Sequence, residues 1–150
     1  MRPFVLVGSS SPYRQARYEH ELMNHGFDVC VVSGGVDCLR ELAIRTPSVL
    51  LLECSLLWGG AEGVLDVMSE ESDWKDVPVV LLANGGVTTD AYRLARFPIY
   101  GFFSRFPPDN ELVWAIRSAL QAADHGMSRN TAPEVATHSG FFWVHRRRTP

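Results

Sequence analysis

Five short apolar runs are spaced along the chain so that a helix fits between each run and the next. Their apolar residues are continuous rather than alternating, which is typical of strands covered on both faces in a parallel sheet. The runs are residues 4–7, 27–32, 49–52, 77–82 and 99–103. Amphipathic spacing and capping residues predict helices over 11–24, 36–44, 61–69, 88–96 and about 108–126. The (βα)5 order predicts an α/β fold, a doubly wound five-stranded parallel sheet between two helical layers, with its functional crevice at the carboxyl ends of the strands.

The composition is that of one ordinary domain. The chain has 150 residues, of which 46% are hydrophobic, and its net charge of −3 gives no broad positive field for nucleic acid. No apolar run approaches the roughly 20 residues of a membrane span, and the first residues lead directly into a strand. We therefore expect a cytoplasmic protein that binds neither a membrane nor, as a whole domain, nucleic acid.

The last 24 residues differ in composition from the rest. Residues 1–126 form the predicted domain and residues 127–150 a tail, which is polar until an aromatic cluster, FFWV, and then a run of three arginines. The polar part supplies little core, whereas Phe141 to Val144 are too apolar to stay exposed. The tail is predicted to be a flexible or docking segment in which the aromatic cluster packs on the domain or on a neighbouring molecule, with residues 146–148 in solvent.

The residues at the strand ends resemble the receiver domain of two-component response regulators, over about residues 4–123. The third strand reads PSVLLLE, the fourth VPVVLLA and the fifth GFFSR, and the first ends in GSSSP. In that family these strands end in a phospho-accepting Asp, a Thr or Ser, a Lys, and an acidic pair that holds Mg²⁺. The resemblance implies a flavodoxin-like, receiver-like three-layer sandwich, in which the matching positions carry Glu53, Ala83, Arg105, and Ser9 with Ser10.

These substitutions remove the parts that phosphorylation needs. Mg²⁺ prefers carboxylate oxygens, and Ser9 and Ser10 offer only neutral hydroxyls, so metal binding is predicted to be weak or absent. Glu53 carries one methylene more than the acceptor Asp. Ala83 cannot make the hydrogen bond that the family uses to sense phosphate, and Phe102, at the position of the switch aromatic, has no phenol.

Two interpretations of Glu53 remain open from the sequence. Arg105 presents a planar fork of donors that could hold Glu53 bidentately across the crevice and imitate a phosphorylated site. Alternatively, Glu53 ends its strand in solvent and Arg105 points elsewhere.

The serine-rich loop before the first helix has a second possible meaning. Ser9 to Ser11 stand at a helix N-terminus, where an anion could bind, although Ser11 is also a good N-cap. The stretch from Ser9 to Ala16 is similar to the opening motif of Maf-type nucleotide pyrophosphatases, but the acids and lysines of such an enzyme are not recognisable downstream. The histidines show no zinc spacing, so the sequence indicates no enzyme and no cofactor.

The sequence therefore predicts a pseudo-receiver: a signalling module of a two-component or phosphorelay-type system that acts by protein–protein interaction without phosphorylation. The resemblance implies that a partner, or a second copy, binds the face of the fourth helix, fifth strand and fifth helix. Two alternatives stay open. One is a working phospho-receiver with altered site residues, and the other is a flavodoxin-like nucleotide-binding or phosphate-binding enzyme that uses the Ser9–Ser11 loop.

Overall fold

From β1 to β4, strands and helices alternate along the chain as the sequence predicts. The computed structural model describes residues 1–56, 60–83, 94, 96–124, 137–138 and 141–143. The first elements are β1 (Phe4–Gly8), α1 (Pro12–Asn24), β2 (Asp28–Val32), α2 (Gly35–Ile44), β3 (Val49–Glu53) and α3 (Gly60–Glu70). After a 3₁₀ turn at Ser72–Trp74 come β4 (Val79–Leu82), β5 (Gly101–Phe103), α4 (Asp109–Asp124), β6 (Thr137–His138) and β7 (Phe141–Trp143).

The sheet contains the predicted parallel strands and two more. Its order is β2-β1-β3-β4-β5-β7-β6, in which the first five strands are parallel to their neighbours. β7 pairs antiparallel with β5, and β6 pairs antiparallel with β7. The predicted fold class is therefore confirmed, and the sheet is two short strands longer than predicted because part of the segment assigned to the tail pairs with β5.

Side chains that alternate along the strands build two separate core layers. Leu6, Leu50 and Leu52 face one way and pack with the apolar stripes of α2 and α3. Val5 and Leu51 face the other way and pack with α1 and α4. The sheet is thus covered on both faces in its centre, which explains why its strands are continuous apolar runs.

The fifth predicted helix is α4. The fourth predicted helix, residues 88–96, lies outside the described residues except for Leu94 and Arg96. Residues 57–59, which precede α3, also lie outside them. Of the aromatic cluster in the tail, Phe141 is fully buried and joins the α1 and α4 side of the core. Val144 and residues 146–148 lie outside the described residues.

None of the helices in the described part of the chain is long and apolar enough to cross a membrane.

Replacing Leu50 by Ala should lower the free energy of unfolding by about 2–5 kcal/mol, because Leu50 is fully buried in β3 and the sheet cannot collapse around the lost side chain. Urea unfolding followed by tryptophan fluorescence measures the change. The control is Ile44→Ala, since Ile44 is 71% exposed at the end of α2 and its truncation should have little effect. Equal losses in the two variants would contradict the described packing.

Candidate functional site

The carboxyl ends of β1 and β3 bring two polar side chains together inside the protein. Gly8 at the end of β1 pairs with Leu52 of β3, so the next residues, Ser9 and Glu53, lie side by side. Ser9 is 0% exposed and Glu53 is 1% exposed, and among the described residues they alone are polar or charged and buried to this degree. A buried carboxylate is costly unless it is paired, so the partners of Glu53 define the chemistry of this site.

Both carboxylate oxygens of Glu53 accept hydrogen bonds. Ser9 Oγ donates to Oε1 at 2.7 Å. Arg14 Nε donates to the same oxygen at 2.7 Å, and Arg14 Nη2 donates to Oε2 at 3.1 Å. This is the two-pronged arginine–carboxylate arrangement, which fixes the orientation of the carboxylate as well as compensating its charge.

The start of α1 places Arg14 above the carboxylate. Ser11 is the N-cap of α1, and its Oγ accepts a hydrogen bond from the backbone N–H of Arg14 at 3.3 Å. The guanidinium also lies over the ring of Phe106, 4.1 Å from its centroid. The hydrogen bonds to Glu53 raise the pKa of Arg14 above its ordinary value, although burial opposes the shift. Arg14 is therefore held as a permanent cation at the crevice.

The structure matches neither of the two interpretations of Glu53, because the side chain is 1% exposed and so does not end in solvent, and it does not pair with Arg105. Glu53 pairs with Arg14, while Arg105 is exposed and makes no ion pair with the described residues. Arg105 stands in the loop after β5 with its side chain exposed, and both carboxylate oxygens of Glu53 already accept from Arg14. The first turn of α1, by contrast, follows β1, the immediate neighbour of β3.

The remaining predicted positions lie around the crevice. Ser10 is half-buried in the loop before α1. Ala83 is 1% exposed, and its backbone N–H donates to the carbonyl of Phe103 at 2.8 Å, so an apolar methyl group stands where the family has a hydroxyl. Phe102 is half-buried and stacks on Phe142, with ring centroids 5.0 Å apart and planes at 14°. Its ring is thus part of the packing between β5 and β7.

A magnesium ion, which the resemblance implies, does not fit these residues. The crevice supplies one carboxylate, and its two oxygens already accept three hydrogen bonds. The charge beside it is the Arg14 guanidinium, which would repel a second cation. More widely, no cluster of three His, Cys, Asp or Glu side chains in the described ranges could hold a metal ion.

The serine-rich loop is occupied by local hydrogen bonds. Ser11 Oγ caps α1, and Ser9 Oγ both donates to Glu53 and accepts from the N–H of Ser11 at 3.3 Å. Gln15 Nε2 donates to the Ser9 carbonyl and to Ser33 Oγ, the latter at 2.9 Å. A phosphate group entering this loop would meet the Glu53 carboxylate, and the N-cap position is already filled.

Tyr18 lies one turn beyond Arg14 on α1 and is 3% exposed. Its hydroxyl has no hydrogen-bond partner among the described residues. Burial is the largest cause that raises the pKa of Tyr18 well above its ordinary value, and the negative charge of Glu53 adds to the shift. The phenol therefore stays neutral and adds no charge to the site.

Sequence reasoning missed Arg14 as the partner of Glu53. The signal was present, because parallel strands one and three are neighbours in a receiver-like sheet and Arg14 stands in the first turn after strand one. A long cation there can reach the end of strand three, whereas the family pattern directed attention to strand five.

The fold, but not the sequence, is shared with known proteins. No family profile matches the chain, and no curated protein matches it. Solved structures match with high probability: the signal receiver domain of a signal transduction histidine kinase from Syntrophus aciditrophicus has a TM-score of 0.73 and 18% identity, covering 90% of this chain and 99% of that one.

Two further receiver domains are similar. The signal receiver domain of an HD domain-containing protein from Pseudomonas fluorescens has a TM-score of 0.75 and 19% identity over 83% of this chain and 91% of its own. The receiver domain of a sensor histidine kinase from Pseudomonas aeruginosa has a TM-score of 0.75 and 16% identity over 81% of this chain and 99% of its own, and its structure holds a magnesium ion in the active site cleft. The chain thus has the fold of a receiver domain.

Replacing Arg14 by Met should lower the free energy of unfolding by about 3 kcal/mol, because it leaves the buried Glu53 carboxylate without its counter-charge. Adding Glu53→Gln should recover at least about 1 kcal/mol, since the amide needs no counter-charge. Chemical denaturation of the single and double variants measures this coupling. Arg40→Met is the matched control, because the Arg40–Asp37 pair is mostly exposed and should contribute almost nothing. Additive effects of the two site changes would contradict the pairing.

Replacing Tyr18 by Phe should raise the free energy of unfolding by up to about 1 kcal/mol at neutral pH, because it removes a buried hydroxyl without a partner. The folded protein keeps the phenol proton above pH of about 10, whereas the unfolded chain releases it. The contribution of this pKa difference to the free energy of unfolding is therefore complete below that pH and is lost as the pH rises. Tyr18→Phe removes this contribution, so its free energy of unfolding should fall less steeply at alkaline pH. Denaturation at a series of alkaline pH values checks it, and an unchanged pH profile would contradict the burial of the phenol.

Proposed function

We propose that this protein is a pseudo-receiver, a signalling module of a two-component or phosphorelay-type system that binds a partner protein without being phosphorylated and catalyses no reaction. The observation that carries the proposal is the buried Glu53 carboxylate, whose oxygens are both held by Ser9 and Arg14. The receiver fold makes the signalling context the natural one for such a site.

The geometry of Glu53 argues against phosphotransfer. An attacking carboxylate must present an oxygen to phosphorus, and here the Arg14 fork orients both oxygens of Glu53 toward its own guanidinium. Freeing one would require the Arg14 fork to leave a site where Glu53 is 1% exposed, which would leave a buried charge unpaired. The Arg14 guanidinium provides the neutralising charge that a metal ion provides in phosphoryl transfer. We therefore expect weak or no binding of Mg²⁺.

The parts that would report phosphorylation are also altered. Ala83 has no hydroxyl to move towards a phosphoryl group, and its backbone is tied to Phe103. Phe102 is stacked on Phe142 and cannot swing without breaking that contact. Neither position is therefore suited to relaying phosphorylation of the crevice to a partner surface.

The partner surface is expected on the side of β5 and α4. The fourth predicted helix, which the family face would include, lies outside the described residues. β5 carries β7 along its edge, so a partner on this side meets the tail strand as well as the domain. The net charge of −3 favours a protein partner over nucleic acid.

Incubation with acetyl phosphate and Mg²⁺ should leave the intact mass unchanged, because Glu53 is paired with Arg14 and Ser9 and Ser10 offer no carboxylate to Mg²⁺. Intact-mass spectrometry measures this, with a receiver domain of known phosphorylation as the positive control. A phosphoryl adduct that disappears in Glu53→Gln would contradict the proposal and favour a working phospho-receiver. An adduct that persists in Glu53→Gln would place any modification elsewhere.

A melting assay separates the alternatives. Mg²⁺ with beryllium fluoride should not shift the melting temperature of this protein, whereas a working phospho-receiver would be stabilised by that phosphoryl mimic. A panel of nucleotides in the same assay addresses the enzyme that would use the Ser9–Ser11 loop. Stabilisation by a nucleotide that is lost in Ser10→Ala would favour that alternative.

A further inference from the structure

The edge of β5 is covered by a strand from the end of the same chain. Gly101, Phe102 and Phe103 pair with Trp143, Phe142 and Phe141 in antiparallel register. β6 then pairs with β7, and these two strands together form a small antiparallel ribbon, which we call the tail ribbon. Without it β5 would be an edge strand, with backbone groups open to pairing by another chain.

Gly101 leaves the space that the ribbon occupies. A Cβ atom at this position would lie 2.4 Å from Phe141 Cζ and 2.5 Å from the carbonyl oxygen of Phe142. Both distances are far too short for carbon and oxygen atoms that are not bonded. β5 therefore has a site shaped to receive a strand with an aromatic residue at this point, and any larger residue than glycine would close it.

Side chains on both faces of the sheet recognise the ribbon. On the side of α4, the ring of Phe141 is fully buried, with ring centroids 4.8 Å from Phe103 and 5.8 Å from Trp114. On the other side, Phe142 stacks on Phe102. The site thus accepts a strand with an aromatic residue on each face.

Hydrogen bonds add direction to this recognition. Trp143 Nε1 donates to the Tyr100 hydroxyl at 3.0 Å, and that hydroxyl is 2.6 Å from Ser118 Oγ on α4. An indole two residues after the buried aromatic ring is therefore matched by a polar pair in the domain. The recognised pattern is three successive aromatic residues, of which the third carries a hydrogen-bond donor.

The pairing between the ribbon and the domain is short. β5 and β7 pair over three residues each, and β6 has two. Short strands at the end of a sheet open at lower free energy than central strands such as β1 and β3. The contacts between the tail ribbon and β5 are thus specific, yet the ribbon can leave β5 and pair with it again.

We propose that the β5 edge is a docking site for an extended segment of a partner protein with this aromatic pattern, and that the tail ribbon is its competitor within the chain. The partner segment pairs antiparallel with β5 and takes the places of Phe141 and Trp143 after the ribbon has left. This inference rests on the proposed function, since it specifies the surface and the partner chemistry of the binding module. It does not depend on the Glu53 site, so phosphorylation assays leave it untouched.

The first test is native-state hydrogen exchange on the full chain. Amides that pair β5 with β7 should open separately from the domain, with protection about 100-fold or more below that of β1 and β3 amides. Equal protection in all three places would mean that the ribbon opens only on global unfolding, and this would overturn the proposal.

The second test uses a fluorescent peptide of residues 136–145 added to full-length variants. Phe141→Ala should bind the peptide at least about tenfold more tightly than the unaltered protein, because the competitor is weakened while the β5 edge is kept. Adding Gly101→Ala should abolish binding, since its Cβ fills the site. Adding Gly63→Ala is the matched control, because a Cβ there meets nothing within 4 Å, and it should leave binding unchanged.

Three outcomes of the peptide experiment overturn the proposal. They are no binding to Phe141→Ala, binding that survives Gly101→Ala, and loss of the whole fold in Phe141→Ala, which would make the ribbon an integral part of the domain. A circular dichroism melt of each variant distinguishes the last outcome from the first. None of these results bears on whether Glu53 can be phosphorylated.

Discussion

A buried carboxylate with a counter-charge from its own chain sets the character of this protein. Glu53 ends the central strand β3 and is 1% exposed. A buried carboxylate is tolerated here because Arg14 donates to both of its oxygens and Ser9 donates to one. This arrangement ties the start of α1 to the middle of the sheet. It also holds the carboxylate beside a fixed cation, which is the observation on which the proposed pseudo-receiver rests.

The same reasoning connects the crevice to the far side of the sheet. In a phosphate-responsive module, a mobile hydroxyl and a mobile aromatic ring link the site to the partner surface. Here Ala83 has no hydroxyl, and Phe102 stacks on Phe142 of the tail ribbon. In the proposed pseudo-receiver, these two residues therefore do not couple the crevice to the β5 side. If partner binding is controlled, the control acts at the ribbon, where the pairing is short, rather than at Glu53, where the charge is locked.

The fold could be predicted from the sequence because its strands are buried on both faces, and continuous apolar runs such as PSVLLLE leave few other structures open. The position of Glu53 followed from the end of that run. The hydrogen-bond partner of Glu53 could not be predicted in the same way, because it depends on how the turn that starts α1 places Arg14. The family pattern pointed instead to Arg105, beyond β5. The tail strand was also beyond prediction in detail. The aromatic residues of FFWV indicated a segment that must be covered, but pairing with β5 depends on the space left by Gly101, which no periodicity reveals.

The central claim is that Arg14 takes the place of a metal ion beside Glu53, and the side-chain Nε–H signal of Arg14 in a ¹H–¹⁵N NMR spectrum tests it most directly. In the structure this N–H donates to Glu53 Oε1 at 2.7 Å. The account predicts a slowly exchanging signal, shifted by its carboxylate partner, that does not move when an excess of Mg²⁺ is added at constant ionic strength. A signal that shifts in a saturable way with Mg²⁺ and returns on chelation would show that the metal reaches Glu53 and displaces the guanidinium, and it would contradict the account.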